Sequence, residues 1–426
     1  MKFLSTRKST PPVSFSESLL MGLAPDGGLL IPEKFPEFSK EDLKKMQNSS
    51  FLKIAKTISH AFAEGDHLAQ KMDGICEEAF NFPIPLKKLK NDTEILELFH
   101  GPTSAFKDVG ARFLASSISA LQEMKKEELT VIVATSGDTG SAVASAFYKK
   151  PFVEVIVLFP EGKISPRQEV QLTCWGHNIK SFAVRGFFDD CQKMVKEAFL
   201  SPWWKSHKKL ISANSISIGR ILPQTFYYAW ASLTYFSEHN ERPGFIIPSG
   251  NLGNATACLW AKKMGFPIRE VVMSTNANHA VLDYSKSGSF KSHETLQTLA
   301  NAMDVGNPSN MERVMNFFPD HADFAKDVKV ISVNDEEIKR VISDAEKDWK
   351  DIFCPHTATA VSAREKLTTP HWIIVATAHP AKFETIVEPL IGKKIELPKA
   401  LFDLINKPHS KKIINAKLSE LEKEVS

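Results

Sequence analysis

A chain of 426 residues, 43% hydrophobic and 24% charged, has enough apolar surface for two or three packed units and too much for disorder over most of its length. Lys plus Arg is 53 against 50 Asp plus Glu, and the resulting +3 gives no reason to expect a nucleic-acid groove. The 29 phenylalanines against 5 tyrosines point to large apolar cores with few phenolic hydroxyls to satisfy.

Residues 1–95 read as a mainly helical unit. APDGGLLIPEKFPEF, from Ala24, is turn and loop, and DLKKMQNSSFLKIAKTISHAFA, from Asp42, carries apolar residues at helical spacing. The first fifteen residues lack the apolar centre of a signal peptide, and no run has the length of a membrane span. From 96 to 210 the pattern becomes α/β. TVIVA at 130–134 is a short apolar strand, followed by TSGDTG and a helical SAVASAFYKK; VEVIVLFP and IKSFAV are further strands. From 211 to 400 a second α/β lobe is expected. It has a helix with Pro223 near its start, then the strands GFII, REVVMSTN, VKVISV and HWIIVATA, and an irregular insertion at about 278–325. Apolar strands alternating with helices argue for largely parallel sheets covered on both faces. Residues 401–426 read as an exposed, charged tail. The cysteines Cys76, Cys174, Cys191, Cys258 and Cys354 are scattered, odd in number and without a CxxC pair. They argue against a disulfide framework and for a reducing, cytoplasmic setting.

Three motifs carry chemistry. PSGNLGNATA, from Pro248, follows a strand and opens a helix. Gly250 and Gly253 let the backbone curl, and successive N–H groups at a helix start make a cradle for one phosphate. The motif has neither the Lys-Ser/Thr pair of a P-loop nor dinucleotide spacing, and a plain structural turn is the competing reading. ATSGDTGSAVA, from Ala134, is a second turn of this kind, bringing Thr135, Ser136, Asp138 and Thr139; simple N-capping is its alternative. HGPTSAFKDVGARF places Lys107 at a helix start beside Phe106 and Val109. Desolvation there would lower its pKa and free the amine for imine chemistry, whereas the alternative is a solvated Lys beside Asp108. A one-phosphate cup, a carboxylate-receptive turn and a reactive amine together fit pyridoxal phosphate and an α-amino acid substrate.

These motifs sit in a longer series: FSESLLMGLAPDGGLLIP, LFHGPTSAFKD, ATSGDTGSAVASAFY, GKISPRQEVQL, SANSISIGR, PSGNLGN, LANAMDVGNPSN and TAHPAKF. In order and spacing, across almost the whole chain, the series resembles the threonine synthase family in its long bacterial and fungal form, within the tryptophan-synthase-β-like group of pyridoxal-phosphate enzymes. The resemblance implies fold type II: two α/β lobes with largely parallel sheets around a pyridoxal-phosphate site, plus the N-terminal mainly helical unit. It implies that Lys107 binds the cofactor covalently and acts as the base. Ser249, Gly250, Asn251, Leu252, Gly253 and Asn254 would form the phosphate cup, and Thr377 would face the pyridine nitrogen. Thr135, Ser136, Asp138 and Thr139 would gather round the substrate carboxylate. Asn214, Ser215 and Arg220 would meet the substrate phosphate, with Lys163 and Ser165 as weaker candidates.

The implied reaction turns O-phospho-L-homoserine and water into L-threonine and inorganic phosphate. A related phospho-lyase or amino-acid dehydratase on the same scaffold is the alternative, and a non-catalytic binding protein a more remote one. Two positions depart from the family: Ser217 where NSIN is common, and Leu252 where GNFG is common. His356 is left between a site contact and a core histidine. His379 is expected to support the turn that presents Thr377, and Trp203-Trp204 to serve packing. The remaining histidines suggest no metal set. The expected partner is the small-molecule substrate, without nucleic acid or membrane; a monomer is the expected state, a dimer its alternative.

Overall fold

The computed structural model describes all 426 residues. Strands β1 (Lys2–Ser5), β2 (Val13–Ser14) and β3 (Leu30–Pro32) make a small antiparallel sheet in the order β2-β1-β3. Ser14 caps the helix Phe15–Leu20 through a reciprocal capping box with Glu17. The helix Phe51–Ala63 buries Ile54, Ala55, Ile58, Phe62 and Ala63, the helical spacing read from the sequence.

The rest of the chain weaves between two sheets. β4 (Leu86–Lys88) and β5 (Thr93–Glu97) join one sheet; β6 (Leu129–Ala134), β7 (Val153–Pro160), β8 (Ile179–Arg185) and β9 (Leu210–Ser212) build the second. β10 (Gly244–Pro248), β11 (Val271–Thr275), β12 (Val328–Ser332) and β13 (Trp372–Ala376) return to the first, and β14 (Lys412–Asn415) to the second. The large sheet runs β12-β11-β10-β13-β5-β4, parallel except at the β4 edge. The small sheet runs β14-β8-β7-β6-β9 and is parallel throughout. β5, β6, β10, β11 and β13 are buried along their whole length, as strands covered on both faces must be.

Two sequence expectations need correcting. Residues 401–426 are not a free tail: β14 pairs with β8, and the following helix Leu418–Val425 buries Leu421 and Val425 beside Trp204. Only Ile414 of β14 (KIIN) is buried and its neighbour Ile413 is exposed, so the strand shows no run of alternating apolar residues. The region 278–325 is also more ordered than expected, with helices at Ala280–Ser287, Met311–Phe317 and His321–Asp327.

Phenylalanines join the units. Phe80 from the N-terminal unit, Phe113 from the helix that begins at Lys107, and Phe226 from the helix Gln224–His239 meet with ring centroids 5.8–6.1 Å apart. Such pairs add about 0.5–1.5 kcal/mol each beyond their area burial. They fasten the Lys107 helix to a rigid body. Trp204 is fully buried and Trp203 stacks on His207, so both serve packing. No helix is long and apolar enough to cross a membrane.

Candidate active site

The motifs collect at the carboxyl ends of parallel strands, where open α/β sheets place ligands. PSGNLGN leaves β10, and TAHPAKF leaves its neighbour β13. TSGDTG leaves β6, and ANSISIGR leaves its neighbour β9.

Lys107 opens the helix Lys107–Lys125. The chain just before it is sewn to the loop after β13: Ala105 bridges Ala378, and the Phe106 N–H donates to the Thr377 carbonyl at 2.8 Å. Two residues far apart in sequence are thus fixed side by side. The turn before Lys107 is tied by Asp108, which accepts from the Thr103 N–H at 2.8 Å and its hydroxyl at 2.7 Å. A Cβ at Gly101 would lie 2.5 Å from that carboxylate, so only glycine closes the turn. Lys107 itself keeps some exposed surface but is set deep among protein atoms. That burial lowers its pKa to about 8, with Asp138 opposing the shift and Lys382 and Arg220 adding to it.

The turn after β10 presents a run of backbone N–H donors at a helix start. Leu252 adopts φ +61°, the left-handed conformation, and the helix Gly253–Lys263 starts there. The backbone N–H groups from Gly250 to Ala255 donate to no protein acceptor. A Cβ on Gly250 would stand 2.7 Å from the Met303 Cα, so glycine lets that chain close over the turn. Asn251 shapes the cradle. It donates to Ser215 Oγ at 2.7 Å, accepts from the Ser309 N–H at 2.5 Å, and its carbonyl takes Asn310 Nδ2 at 2.8 Å. Asn254 accepts from the Tyr227 and Tyr228 hydroxyls, leaving its buried Nδ2 without a partner. The Ser249 hydroxyl donates back to Ile247 at 2.8 Å. The Leu252 side chain is buried, and the backbone N–H donors of the turn stay free with leucine at this position.

In TSGDTG, the Thr135 hydroxyl accepts from the Gly137 and Gly140 N–H groups at 3.0 and 2.9 Å and closes the turn. Gly137 has φ +132°, and a Cβ there would press on the Gln168 amide. The N–H groups of Ser136, Asp138 and Thr139 stay without protein acceptors. Asp138 is engaged otherwise. Its carboxylate meets Lys382 Nζ at 2.8 Å and Gln168 Nε2 at 3.1 Å. Burial alone would raise its pKa, but Lys382 and Lys107 outweigh burial and hold it well below the usual carboxylate range.

Arg220 is buried, with Nη1 on the Ala213 carbonyl at 2.5 Å and Nε without a protein partner. Burial lowers its pKa to about 10, which leaves it charged at neutral pH. Gly110 admits it: a Cβ there would lie 2.6 Å from the Arg220 carbonyl. Asn214 and Ser215 are half-buried, and the Ser217 hydroxyl is buried without a partner. Lys163 makes no hydrogen bond or ion pair with Asn214, Ser215 or Arg220. It is exposed, with its ammonium 5.2 Å over the exposed Phe187 ring. Ser165 caps the helix Pro166–Thr173, and its hydroxyl donates to the Lys382 carbonyl at 3.3 Å. His356 Nε2 accepts from the Ala302 N–H, so the ring proton sits on the unpartnered Nδ1; burial lowers the ring's pKa to about 4. His379 Nδ1 accepts from the Ala381 N–H and braces the turn after Thr377, the supporting place expected of it.

Sequence reasoning missed two residues. Lys382 is fully buried and joins Asp138 to the Thr103 carbonyl at 2.8 Å, so one ammonium links three loops. Arg313, also fully buried, donates to the carbonyls of Leu30 and Ile216 and to Asn310 Oδ1. It ties the N-terminal unit to the loop after β9 and to the cradle. Lys382 lies in TAHPAKF, five residues after Thr377, with no local sign of its burial or of its distant partners. Nothing local marks Arg313.

A family described as pyridoxal-phosphate dependent enzyme matches residues 84–375. The families described as threonine synthase N terminus and threonine synthase, C-terminal match 2–80 and 357–425. The fold and the cradle beside a desolvated lysine therefore define a two-lobed pyridoxal-phosphate-dependent enzyme. The threonine synthase of Serratia marcescens is 38% identical, with 99% of this chain and 98% of the relative covered. That of Escherichia coli (strain K12) is 38% identical, with 96% and 95% covered. The crystal structure of threonine synthase from Escherichia coli superposes with a TM-score of 0.92 at 36% identity over 100% and 99% of the two chains. The PLP-bound threonine synthase from Brucella melitensis gives 0.93 at 32% over 100% and 98%. The chain belongs to the threonine synthase family.

Proposed function

We propose that this chain converts O-phospho-L-homoserine and water into L-threonine and inorganic phosphate. The observation that carries the proposal is the pairing of a desolvated Lys107 amine, locked beside Thr377, with the free N–H run at Gly250–Ala255 on the neighbouring strand end. These residues fit pyridoxal phosphate. Lys107 would hold its aldehyde carbon, the Gly250–Asn254 amides its phosphate, and Thr377 its ring nitrogen. When bound, the cofactor supplies an electron-withdrawing ring conjugated to the substrate's amino group, which acidifies the neighbouring C–H bonds.

The chain supplies the rest. The free N–H groups of Ser136, Asp138 and Thr139 receive the substrate carboxylate. The Asp138 side chain does not touch it: like charges would repel, and that carboxylate is taken by Lys382. Arg220, with Asn214 and Ser215, receives the substrate phosphate through a fork suited to its oxygens. Lys107, whose pKa of about 8 leaves about a tenth of it neutral at pH 7, takes the Cα proton and later returns one there. Loss of a Cβ proton lets phosphate leave from Cγ, Cγ takes up a proton, and water then adds at Cβ. Movement of the TSGDTG lobe toward the GNLGN lobe would exclude bulk water during these steps. The five cysteines are all free and buried, which supports a reducing, cytoplasmic location.

Product analysis tests the reading. With O-phospho-L-homoserine, threonine and phosphate should form in equal amounts. Phosphate with 2-oxobutyrate and no threonine would select a phospho-lyase instead.

A further inference from the structure

The sequence suggested no metal set among the histidines, but the fold brings His279, Asp283 and His293 together. His279 stands at the N-cap position of the helix Ala280–Ser287, and Asp283 follows four residues later, so the two share a helix face. His293 comes from the coil beyond that helix, where its N–H donates to the Gly306 carbonyl at 3.0 Å. Asp283 Oδ2 lies 3.4 Å from His279 Nε2 and 3.1 Å from His293 Nε2, and the ligand atoms all fall within 4.8 Å of one another.

Those spacings are close to what a metal needs. With metal–ligand bonds of about 2.0–2.1 Å, a tetrahedron has edges of about 3.3 Å, so an ion fits after small side-chain movements. A separate observation concerns the tautomer. His279 Nδ1 is 2.9 Å from the Ala277 carbonyl. Donation there puts the proton on Nδ1 and leaves the Nε2 lone pair for a metal, the arrangement that orients ligand histidines. The side chains of His279, Asp283 and His293 keep 43%, 44% and 37% of their surface exposed, which leaves room for a water as fourth ligand.

We propose that His279, Asp283 and His293 form a binding site for a divalent transition-metal ion of the zinc type. Two imidazoles and one carboxylate suit zinc and disfavour calcium and magnesium, which take oxygen ligands. The ion would pin the coil around 293–306 to the helix. That coil leads into the wall of the phosphate cradle: Asn278 Nδ2 holds the Leu296 carbonyl at 2.9 Å, and the Met303 backbone lies against Gly250. Metal binding would stiffen this wall without entering the site.

Calorimetric titration of the cofactor-loaded protein with zinc chloride tests the proposal. One equivalent should bind with micromolar or tighter affinity, and the ion should raise the melting temperature. His293→Gln and His279→Gln should each weaken that equivalent at least tenfold and cancel the thermal shift. Asp283→Asn serves as a third variant should either histidine change disturb folding. Equal titration of the parent and the variants, or no saturable equivalent in the parent, would overturn the site.

Discussion

Lys107 owes its low pKa to its surroundings. With a pKa of about 8, lowered first by burial and then by Lys382 and Arg220, its neutral fraction rises with pH. Capture of pyridoxal phosphate by cofactor-free protein should therefore accelerate as pH rises, by about tenfold per unit well below pH 8, and level off above it. Stopped-flow absorbance would show this, and a flat rate from pH 6 to 9 would contradict it. Asp138 is the counterweight. Asp138→Asn leaves the fully buried Lys382 ammonium without its carboxylate, which should cost about 3–5 kcal/mol of stability. Without Asp138 the Lys107 pKa falls further, so the capture profile should also move to lower pH. Unchanged unfolding would show that Lys382 finds another partner. The place of Lys107 at a helix start beside apolar residues was legible locally, but that reading left a solvated lysine open, and its assigned role came from the resemblance of its motif to the family. Lys382 was not legible, because its partners lie in loops more than two hundred residues upstream.

The loops after β6, β9, β10 and β13 are where the chain converts strand into site. Each motif followed an apolar run and carried the glycines or hydroxyls a tight turn needs, so the turns themselves could be read, with anion binding and a plain structural turn both open. What closes over them could not. Gly250 fits because the Met303 backbone approaches from a segment fifty residues later. Gly250→Ala would drive a Cβ to 2.7 Å of that backbone, which neither side can cheaply yield. The variant should fold, lose about 1–3 kcal/mol, and retain pyridoxal phosphate at least tenfold less well on dialysis. Full retention would place the cofactor phosphate elsewhere. The Thr135 hydroxyl shows the opposite lesson: expected near a substrate, it spends both lone pairs on its own turn.

Across the whole molecule, the apolar strands announced two parallel sheets, but sequence blocks did not map onto lobes. β5 lies at 93–97 yet pairs with β13, and β14 crosses back to the small sheet from the far end of the chain. Register of that kind is set by long-range pairing, and a four-residue strand with one buried side chain leaves almost no periodic signal. Deleting residues 410–426 removes the buried side chains of Ile414, Leu421 and Val425 and uncovers the β8 edge. At about 1.5–3 kcal/mol per buried aliphatic side chain, the small lobe should melt early and the protein aggregate on heating. Unaltered melting would mean that β14 is dispensable.

The chemistry is tested most directly by running the reaction on O-phospho-L-homoserine in ¹⁸O-water and weighing both products by mass spectrometry. Loss of phosphate from Cγ followed by addition of water at Cβ should place one ¹⁸O in the threonine hydroxyl and none in the phosphate. Label in the phosphate with none in the amino-acid product would mean simple ester hydrolysis and would contradict the mechanism.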